Sequence, residues 1–249
     1  MAAYNAEEFI QKSIDSVKKQ IYKNWELIII DDASTDRTFQ IAKKNKNQKI
    51  KIISLKKNLG PYLAQSKAIK YCRGKYIAIL DADDLMHRDK IYKQFLEFEK
   101  DKKISLVVSW YKIIDNKGKI LNSIKEPKNY KQLVTLFPCK NLICNSSAMF
   151  KKDLFKKLNF YNKSFYYSND YNFYLKIFIK YKIKILKKFY TFYRIHNNQR
   201  TQSTTLKKII IKENLMHLRW AMNNNLINSK NIFTYYKTYF KNLFKNIFI

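Results

Sequence analysis

The stretch YIAILDADDL, residues 76–85, joins a run of apolar residues to three closely spaced aspartates. Residues 76–80 have the apolar, β-favouring composition of a buried strand. A second run, LIIIDDASTD at 27–36, repeats the order of apolar residues followed by acids. Ligands of an open parallel sheet bind outside the carboxyl ends of its strands. We therefore expect the two acidic strand ends to line one crevice.

Asp81 and Asp83 stand two positions apart, so in an extended backbone their side chains point to the same side. Carboxylates this close repel each other, and a cation between them would keep both ionised. A hard divalent ion, Mg²⁺ or Mn²⁺, is the natural occupant, held by one or two carboxylates and by substrate phosphates. The alternative is a solvated turn with helix-capping acids. Asp84 is open to that interpretation, because acids favour the first turn of a following helix.

Strands and helices alternate through the first half of the chain. The predicted strands are 25–32, 50–54, 76–80 and 104–110, and helical spacing begins near 10, 35, 61 and 91. Asn5 with Glu8 resembles a capping box for the first helix. The alternation predicts an α/β fold of βαβ units with a largely parallel sheet. Further on, the patterns predict strands at 143–150 and 183–196, a helix at 168–181, and helix from about 206.

The chain of 249 residues carries 50 Lys and Arg against 19 Asp and Glu, a net charge of +31. Such a charge fits a polyanionic partner, either nucleic acid or an anionic membrane surface. A composition bias explains it better, because the lysines are spread over the whole chain rather than clustered in one stripe. The charge alone therefore identifies no specific nucleic-acid partner.

Several classes of site are disfavoured by composition. Three glycines cannot form a GxGxxG or Walker A loop. Cys72, Cys139 and Cys144 form no CxxC pair, so neither a disulfide framework nor a zinc site is expected, and a reducing compartment is the default. No apolar run reaches the roughly 18 residues of a membrane span, and no signal peptide is recognisable.

The chain resembles a family 2 glycosyltransferase with the GT-A fold. The matching segments follow the family's order and spacing over roughly 1–200, and they are Tyr4-Asn5, ELIIIDDASTD (26–36), Asn58-Leu59-Gly60, GKYIAILDADD (74–84), Asn169-Asp170 and YRIH (193–196). The resemblance implies a Rossmann-like, mostly parallel central sheet flanked by helices over residues 1–205, with a helical extension over 206–249. It also implies an inverting transfer of a sugar from a nucleotide-sugar donor.

The resemblance assigns donor and metal roles to individual residues. Asp83 would ligate a divalent metal, and Asp81 would bind the donor ribose or support the metal through water. Asp32 would face the nucleoside, where a carboxylate can accept the imide proton of uracil and so favour UDP donors. Arg194 would contact the diphosphate, and His196 would lie near the metal, although a lone histidine is often structural.

The remaining roles concern the nucleoside base and the acceptor. Tyr4 would pack on the base, and Asp170 matches the family's general base. The family usually has Glu-Asp at this point, whereas this chain has Asn169-Asp170, so the chain departs from the family at Asn169 and not at the base. Asp170 would otherwise be an ordinary acid in the first turn of a helix. Residues 144–147 fall where the family forms part of its acceptor pocket, or they are simply strand-end residues.

Only Met1-Ala2-Ala3 precede Tyr4, whereas the family has its first strand there. We expect Met1 to lie at the end of that strand, which is then truncated and which roughly five to seven apolar residues upstream would complete. Such a truncation leaves open a non-catalytic, nucleotide-sugar-binding relative.

The tail, 229–249, combines an apolar stripe with lysines at four-residue steps. The stripe consists of Ile232, Tyr235, Tyr236, Tyr239, Phe240, Leu243, Phe244 and Ile247, and the lysines are Lys237, Lys241 and Lys245. The pattern is typical of a helix in the interface of an anionic membrane, and equally of a helix docked on the catalytic domain.

The leading hypothesis is therefore a metal-dependent, inverting glycosyltransferase that uses a nucleotide sugar, UDP-linked by preference, and builds a surface polysaccharide or lipid-linked glycan. We expect it in the cytoplasm or peripherally on the inner face of the cell membrane. The rivals are a non-catalytic nucleotide-sugar binder and a basic nucleic-acid-binding protein. The latter leaves the two acidic strand ends without explanation.

Overall fold

The computed structural model describes residues 1–197, 199 and 204–247. The strands are β1 (Ala2–Ala3), β2 (Leu27–Asp31), β3 (Ile50–Ser54), β4 (Tyr76–Ala78), β5 (Leu85–Met86), β6 (Ile104–Ile114), β7 (Ile120–Ile124), β8 (Met149–Lys151) and β9 (Lys182–Arg194). The helices are α1 (Ile10–Lys18), α2 (Thr38–Lys44), α3 (Pro61–Tyr71), α4 (Lys90–Lys100), α5 (Tyr130–Leu136), α6 (Leu154–Lys157), α7 (Asn169–Lys180), α8 (Thr204–Asn223) and α9 (Ile232–Ile247).

Two sheets lie at the centre of the fold. The first has the order β1-β2-β3 and is parallel throughout, with Ala2 opposite Ile30 and Leu27 opposite Ile50. The second has the order β4-β8-β6-β9-β5, with β7 paired to β6. In it β6 and β9 run parallel, and the other pairs run antiparallel.

The predicted α/β class is confirmed, and the parallel pairing holds for the first sheet and for β6 with β9. The remaining pairs are antiparallel, which differs from the predicted largely parallel sheet, because of how their strands are connected. For example, five residues separate β6 from β7, which is enough for a hairpin and too few for the crossover that parallel strands need.

Residues 1–3 extend along β2, as expected. The backbone N–H of Ile30 donates to the Met1 carbonyl at 2.9 Å, and that of Asp32 donates to the Ala3 carbonyl at 2.8 Å. Tyr4 therefore leaves β1 at the same sheet edge where Asp32 leaves β2.

Two buried clusters support this edge. One contains Ile14 of α1, Ile29 of the first sheet and Phe98 of α4, which packs on β6, and the other packs α7 under β6 and β8 through residues such as Phe150 and Phe173. The α1 helix also holds the acidic turn directly. The buried Ser13 hydroxyl donates to the carbonyl of Ala82 at 2.7 Å and lies 2.7 Å from that of Asp84.

Several local predictions need correction. Asn5 forms no capping box, because its side-chain oxygen accepts from the Thr35 N–H at 2.9 Å and α1 begins only at Ile10. The second helix begins at Thr38 rather than near 35. Of the predicted strand 143–150, only the end is extended, since Asn145–Ser147 form a 3₁₀ turn before β8.

The C-terminal helices pack on the rest of the chain. Leu218 of α8 and Tyr235 of α9 form a buried cluster with Cys139. Within the part of the chain that the structure describes, we find no helix of the length and hydrophobicity that a bilayer crossing requires.

Candidate active site

A cavity of about 980 Å³ opens at the ends of β1, β2 and β4. Six of the seven predicted site residues line it, namely Tyr4, Asp32, Asp81, Asp83, Asp170 and His196. They come from five separate segments of the chain, so tertiary structure brings them together. The two acidic strand ends do share one crevice, as their sequence pattern predicted.

Asp83 and His196 form a polar pair in this cavity. The Nε2 atom of His196 lies 3.1 Å from Oδ2 of Asp83. The Asp83 side chain is 27% exposed and that of His196 is 13% exposed, so the carboxylate remains accessible from the cavity. The ring of His196 also packs at 4.6 Å on Phe9, which fixes its orientation.

Asp81 is held by two amides. Gln65 of α3 donates to Oδ1 at 3.0 Å and Asn145 donates to Oδ1 at 3.2 Å, while the Asp81 backbone N–H donates to the Ser146 hydroxyl at 3.0 Å. Burial raises the pKa of the Asp81 carboxyl to about 7, and the nearby charge of Asp83 adds to the effect. Burial, together with the charges of Asp83 and Asp170, thus makes the ionised form of Asp81 costly.

The donor set fits a divalent cation. Asp83 and His196 offer oxygen and nitrogen atoms that Mn²⁺ accepts, and Asp81 faces the same cavity. Among the described residues, no cluster of three or more His, Cys, Asp or Glu side chains is arranged to hold a metal. An ion of the Mg²⁺ type takes one or two protein carboxylates and completes its shell with water and substrate phosphates, and Asp81 and Asp83 supply such carboxylates at the cavity.

Asp32 organises the loop before α3. Its two carboxylate oxygens accept the backbone N–H groups of Leu59 and Gly60, each at 2.8 Å, and its side chain is buried. Gly60 has φ of +84°, a conformation that disfavours residues with a Cβ. The segment Asn58-Leu59-Gly60 is thereby fixed at the cavity wall. Tyr4 is half-exposed at the cavity edge, where its ring is open to a ligand.

Asp170 lies in the first turn of α7 and faces the cavity. The Tyr62 hydroxyl lies 3.1 Å from its Oδ1 atom and also bonds the Tyr167 carbonyl. Burial raises the pKa of the Asp170 carboxyl to about 6, although hydrogen bonds from the Tyr171 N–H and from Tyr62 oppose the shift. The helix start favours the ionised form as predicted, but desolvation outweighs it.

Arg194 is the one predicted site residue that does not reach the cavity. It is 1% exposed, and its guanidinium donates to the backbone carbonyls of Asp83 at 2.8 Å, Asp115 at 2.7 Å and Asn116 at 3.0 Å. The predicted contact with a diphosphate is therefore absent from this arrangement. Arg194 instead holds the backbone that carries Asp83.

Asp84 belongs to the support of the site rather than to the next helix. It is fully buried, its Oδ1 accepts the Arg194 backbone N–H at 2.8 Å, and α4 begins only at Lys90. Burial raises the pKa of this carboxyl well above its usual range, followed in effect by the neighbouring charges of Asp83 and Asp81. The helix-capping interpretation of Asp84 is wrong.

Sequence reasoning missed several residues around the cavity. Gln65 and Tyr62 come from α3, and Ile210 and Asn214 come from α8. Gln65 carried a signal, because a polar residue beside Ala64 and Ala68 interrupts the buried face of a helix. The residues of α8 carried none, because nothing local indicates that this helix closes the cavity. In the segment 144–147, for which an acceptor pocket was one of two predictions, Asn145 and Ser146 bond Asp81, and Cys144 and Asn145 line the cavity.

Asn169 occupies a buried, structural position. Its side-chain oxygen accepts the Asn162 N–H at 2.7 Å, and its amide nitrogen donates to the Phe165 carbonyl. Asn169 therefore orders the loop before α7, and the departure from Glu-Asp does not displace Asp170 from the cavity.

The chain matches known proteins over most of its length. The family model described as Glycosyl transferase family 2 matches residues 1–159. Over 235 residues the chain is 32% identical to an uncharacterized glycosyltransferase of Methanocaldococcus jannaschii, covering 92% of this chain and 81% of that protein. Over 116 residues it is 39% identical to WfgD of Escherichia coli, named as a UDP-Glc:alpha-D-GlcNAc-diphosphoundecaprenol beta-1,3-glucosyltransferase, covering 47% of this chain and 46% of that protein.

Solved structures share the fold. Residues 1–349 of S. aureus TarS in complex with UDP-GlcNAc superpose with a TM-score of 0.68 at 19% identity, covering 87% of this chain and 64% of that one. The mannosyltransferase PcManGT from Pyrobaculum calidifontis in complex with GDP-Man and Mn²⁺ gives 0.65 at 18% identity, covering 89% and 62%. The chain thus spans less than two thirds of both solved chains, and at these identities the likeness concerns the GT-A fold.

Proposed function

This chain belongs to glycosyl transferase family 2, and from that membership we propose that it is a metal-dependent, inverting enzyme. It transfers a sugar from a nucleotide-sugar donor, UDP-linked by preference, to a glycan or lipid-linked acceptor of a surface polysaccharide. The observation that carries the proposal is the convergence of Asp81, Asp83, His196 and Asp170 on one cavity from separate parts of the chain. The name of the E. coli relative supports a UDP donor and a lipid-linked acceptor.

The donor would lie along the β1, β2 and β4 ends of the cavity. Tyr4 would pack on the nucleoside base. Asp32 holds the loop at Gly60, which would form the cavity wall beside the nucleoside. Asp83 and His196 would hold the divalent ion, with Asp81 beside them. When bound, such an ion neutralises the charge that grows on the leaving nucleoside diphosphate.

Asp170 would take the proton from the acceptor. The acceptor hydroxyl oxygen attacks the anomeric carbon, a new glycosidic bond forms, and the bond to the diphosphate oxygen breaks with its electron pair. The proton passes to the Asp170 carboxylate, which the Tyr62 hydroxyl orients. A single displacement from the face opposite the leaving group inverts the anomeric configuration, so one carboxylate base suffices.

We predict an acidic limb in the pH profile of transfer. The base must be ionised, and burial places the pKa of Asp170 at about 6. The value of kcat/KM should therefore rise as pH increases through about 6 and level off above it. Initial rates across buffers from pH 5 to pH 8, at saturating Mn²⁺, measure this limb. A rate that falls as pH rises through the same range would contradict the assignment.

The proposed function is tested with a donor panel. UDP-, GDP- and other nucleotide sugars are titrated by calorimetry with and without Mn²⁺, and transfer is followed by release of nucleoside diphosphate. The panel includes GDP-mannose because PcManGT was solved with GDP-Man. Metal-dependent binding of a nucleotide sugar with turnover supports the proposal, and binding without turnover favours the non-catalytic relative. Tight, salt-sensitive DNA binding without nucleotide-sugar binding would reverse the choice in favour of a nucleic-acid-binding protein.

The two faces of α9 differ, which bears on membrane association. Tyr235 is buried against α8 and stacks on Tyr239, so this side is docked on the protein as the alternative interpretation held. Phe233, Tyr236 and Phe240 are exposed by 78%, 47% and 48%. The side chains of Leu243, Lys245 and Ile247, and residues 248–249, lie outside the described part of the chain.

We propose that the exposed aromatic face of α9 rests on an anionic membrane surface, where a lipid-linked acceptor would be found. Phe233 and Phe240 would enter the interface, with Lys237 and Lys241 near the headgroups. The placement fits a helix whose other face is already docked on the protein.

Replacing both Phe233 and Phe240 by serine should lower co-sedimentation with anionic vesicles by at least roughly tenfold, since burial of each ring contributes about 1.5–3 kcal/mol. The matched control is Tyr71→Ser, which removes a half-exposed aromatic ring from α3. Equal sedimentation of the double variant and the parent would show that the face does not touch lipid.

A further inference from the structure

Glu213 of α8 connects the C-terminal extension to residues 166–168, which line the cavity. The residue is 3% exposed, and its carboxylate lies against the loop that leads into α7. Oε1 accepts the N–H of Tyr167 at 2.9 Å and is also bonded by that of Tyr166. Oε2 accepts the N–H of Ser168 at 2.8 Å and its hydroxyl at 2.6 Å. One buried carboxylate therefore gathers three consecutive backbone N–H groups.

His217, one turn further along α8, completes this contact. Its Nε2 lies 2.7 Å from the Ser168 hydroxyl oxygen, and its ring stacks on Phe165 at 4.2 Å. The Ser168 hydroxyl gives its single hydrogen to Glu213, so it must accept from His217, which assigns the imidazole proton to Nε2. Burial lowers the pKa of His217 to about 3, so the ring is neutral at physiological pH.

The loop that Glu213 holds is connected to Asp170 in two ways. Ser168 immediately precedes α7, so the position of its backbone sets where the helix and its first-turn acid begin. In addition, the Tyr167 carbonyl bonds the Tyr62 hydroxyl, which in turn lies 3.1 Å from Oδ1 of Asp170. A displacement of residues 166–168 would therefore move both the carboxylate and its hydrogen-bond partner.

We propose that Glu213 is a positioning residue for the general base, fixing Asp170 against the cavity by anchoring the loop 166–168 from α8. The inference rests on the role proposed for Asp170. It also makes α8 a structural part of the active site, so a division of the chain at 205/206 would cut through the support of the base.

The charge of Glu213 also affects Asp170, in addition to the hydrogen bonds that hold the loop. It is one of the groups that raise the pKa of Asp170, behind desolvation by burial. The other titratable groups facing Asp170 are Tyr62 from α3, Asp81 after β4 and Tyr174 from α7 itself. Removal of the Glu213 charge should thus lower the pKa of the base as well as loosen its loop.

The experiment compares Glu213→Gln with Glu26→Gln in the full chain. Glu26 is a suitable control because its carboxylate also accepts two backbone N–H groups, those of Arg73 and Gly74, away from the cavity. For Glu213→Gln we expect kcat to fall roughly 10- to 100-fold, the cost of a misplaced catalytic group, with donor KM within about twofold. Amide exchange at 166–168 should accelerate, and the acidic limb should move to lower pH. Glu26→Gln should change none of these.

Two readouts are independent of turnover. Amide exchange at 166–168 and the titration of the Asp170 carboxyl carbon by NMR, assigned with Asp170→Asn, are both measured on the metal-free protein. If both change in Glu213→Gln but no donor is ever turned over, the proposed function fails and the anchoring stands. If kcat, the pH limb, amide exchange and the Asp170 titration all match the parent, the positioning role is refuted.

A less disruptive variant covers the case in which Glu213→Gln does not fold. Ser168→Ala removes one hydroxyl contact to Glu213 and the contact to His217 while keeping the backbone N–H groups. It should also lower kcat and accelerate amide exchange at 166–168, but by less, with kcat falling roughly two- to fivefold. Glu213→Asp keeps the charge and should recover part of the loss. If Glu213→Gln does not fold and Ser168→Ala has the kcat and the amide exchange of the parent, the inference is contradicted. Glu213 would then have a purely structural role.

Discussion

Asp170→Asn is expected to reduce sugar transfer by orders of magnitude while leaving donor binding intact. Asparagine has nearly the same shape and can still accept a hydrogen bond from Tyr62, but it cannot take a proton from the acceptor hydroxyl. Loss of a general base lowers the rate roughly 10²- to 10⁴-fold. Donor affinity should change little, because Asp170 lies at the start of α7 rather than at the strand ends that would hold the nucleotide. Calorimetric titration of the donor and a sensitive assay of nucleoside diphosphate release measure the two quantities separately.

Asp153→Asn is the matched control for this substitution. Asp153 also stands at the start of a helix, α6, but it is exposed and paired with Lys157 at 2.7 Å. Its loss should leave transfer within about twofold, because exposed pairs contribute little. Normal turnover in Asp170→Asn would remove Asp170 from the mechanism, and a parallel loss of donor binding would indicate that it holds the donor instead.

The second large effect is expected at Asp83. Asp83→Ala should eliminate Mn²⁺-dependent donor binding and lower transfer by roughly 10³-fold, because a Lewis acid supplies several kcal/mol and about 1.4 kcal/mol corresponds to tenfold in rate. The substitution leaves the Asp83 carbonyl in place, and therefore also its bond from Arg194 at 2.8 Å. The turn that carries Asp81 should persist, so the loss reports on the carboxylate.

Asp89→Ala serves as the control, because Asp89 also pairs with a histidine. The Nδ1 atom of His87 lies 3.8 Å from Oδ2 of Asp89, and neither residue lines the cavity. Metal dependence should be unchanged in this variant. Donor titrations with and without Mn²⁺ for both variants give the comparison. If Asp83→Ala bound donor with the same Mn²⁺ dependence as the parent, Asp83 would not be a metal ligand.

Three acidic residues of the site, Asp32, Asp81 and Asp83, were predictable because they follow strands. An apolar run that ends in acids identifies a strand end by local pattern alone, and this placed Asp32, Asp81 and Asp83 in one crevice. Arg194 was assigned through the family resemblance, in which an arginine lies two residues before the histidine, here His196. Arg194 and His196 differ in position. The Arg194 side chain, at the end of β9, points inward to three backbone carbonyls, whereas His196 lies at the cavity.

The ionisation of the site could not be predicted from local pattern. The start of α7 favours a charged Asp170, yet desolvation raises its pKa to about 6. Likewise, burial raises the pKa of Asp81 to about 7, and the charges of Asp83 and Asp170 add to the shift. Each value depends on groups distant in sequence, such as Glu213 and Asp170, which folding brings into range of one another.

The amino-acid sequence by itself determined the α/β alternation, the two acidic strand ends and the family to which the chain belongs. These features reside in periodicity and short motifs, which neighbouring residues establish. Only the tertiary structure decided the direction of most strands in the second sheet, the burial of Arg194 and the contact of Glu213 with the loop 166–168. The reason is physical: which donors a buried polar group meets depends on long-range packing, and a carboxylate on α8 finds its partners some 45 residues earlier only when the chain has folded.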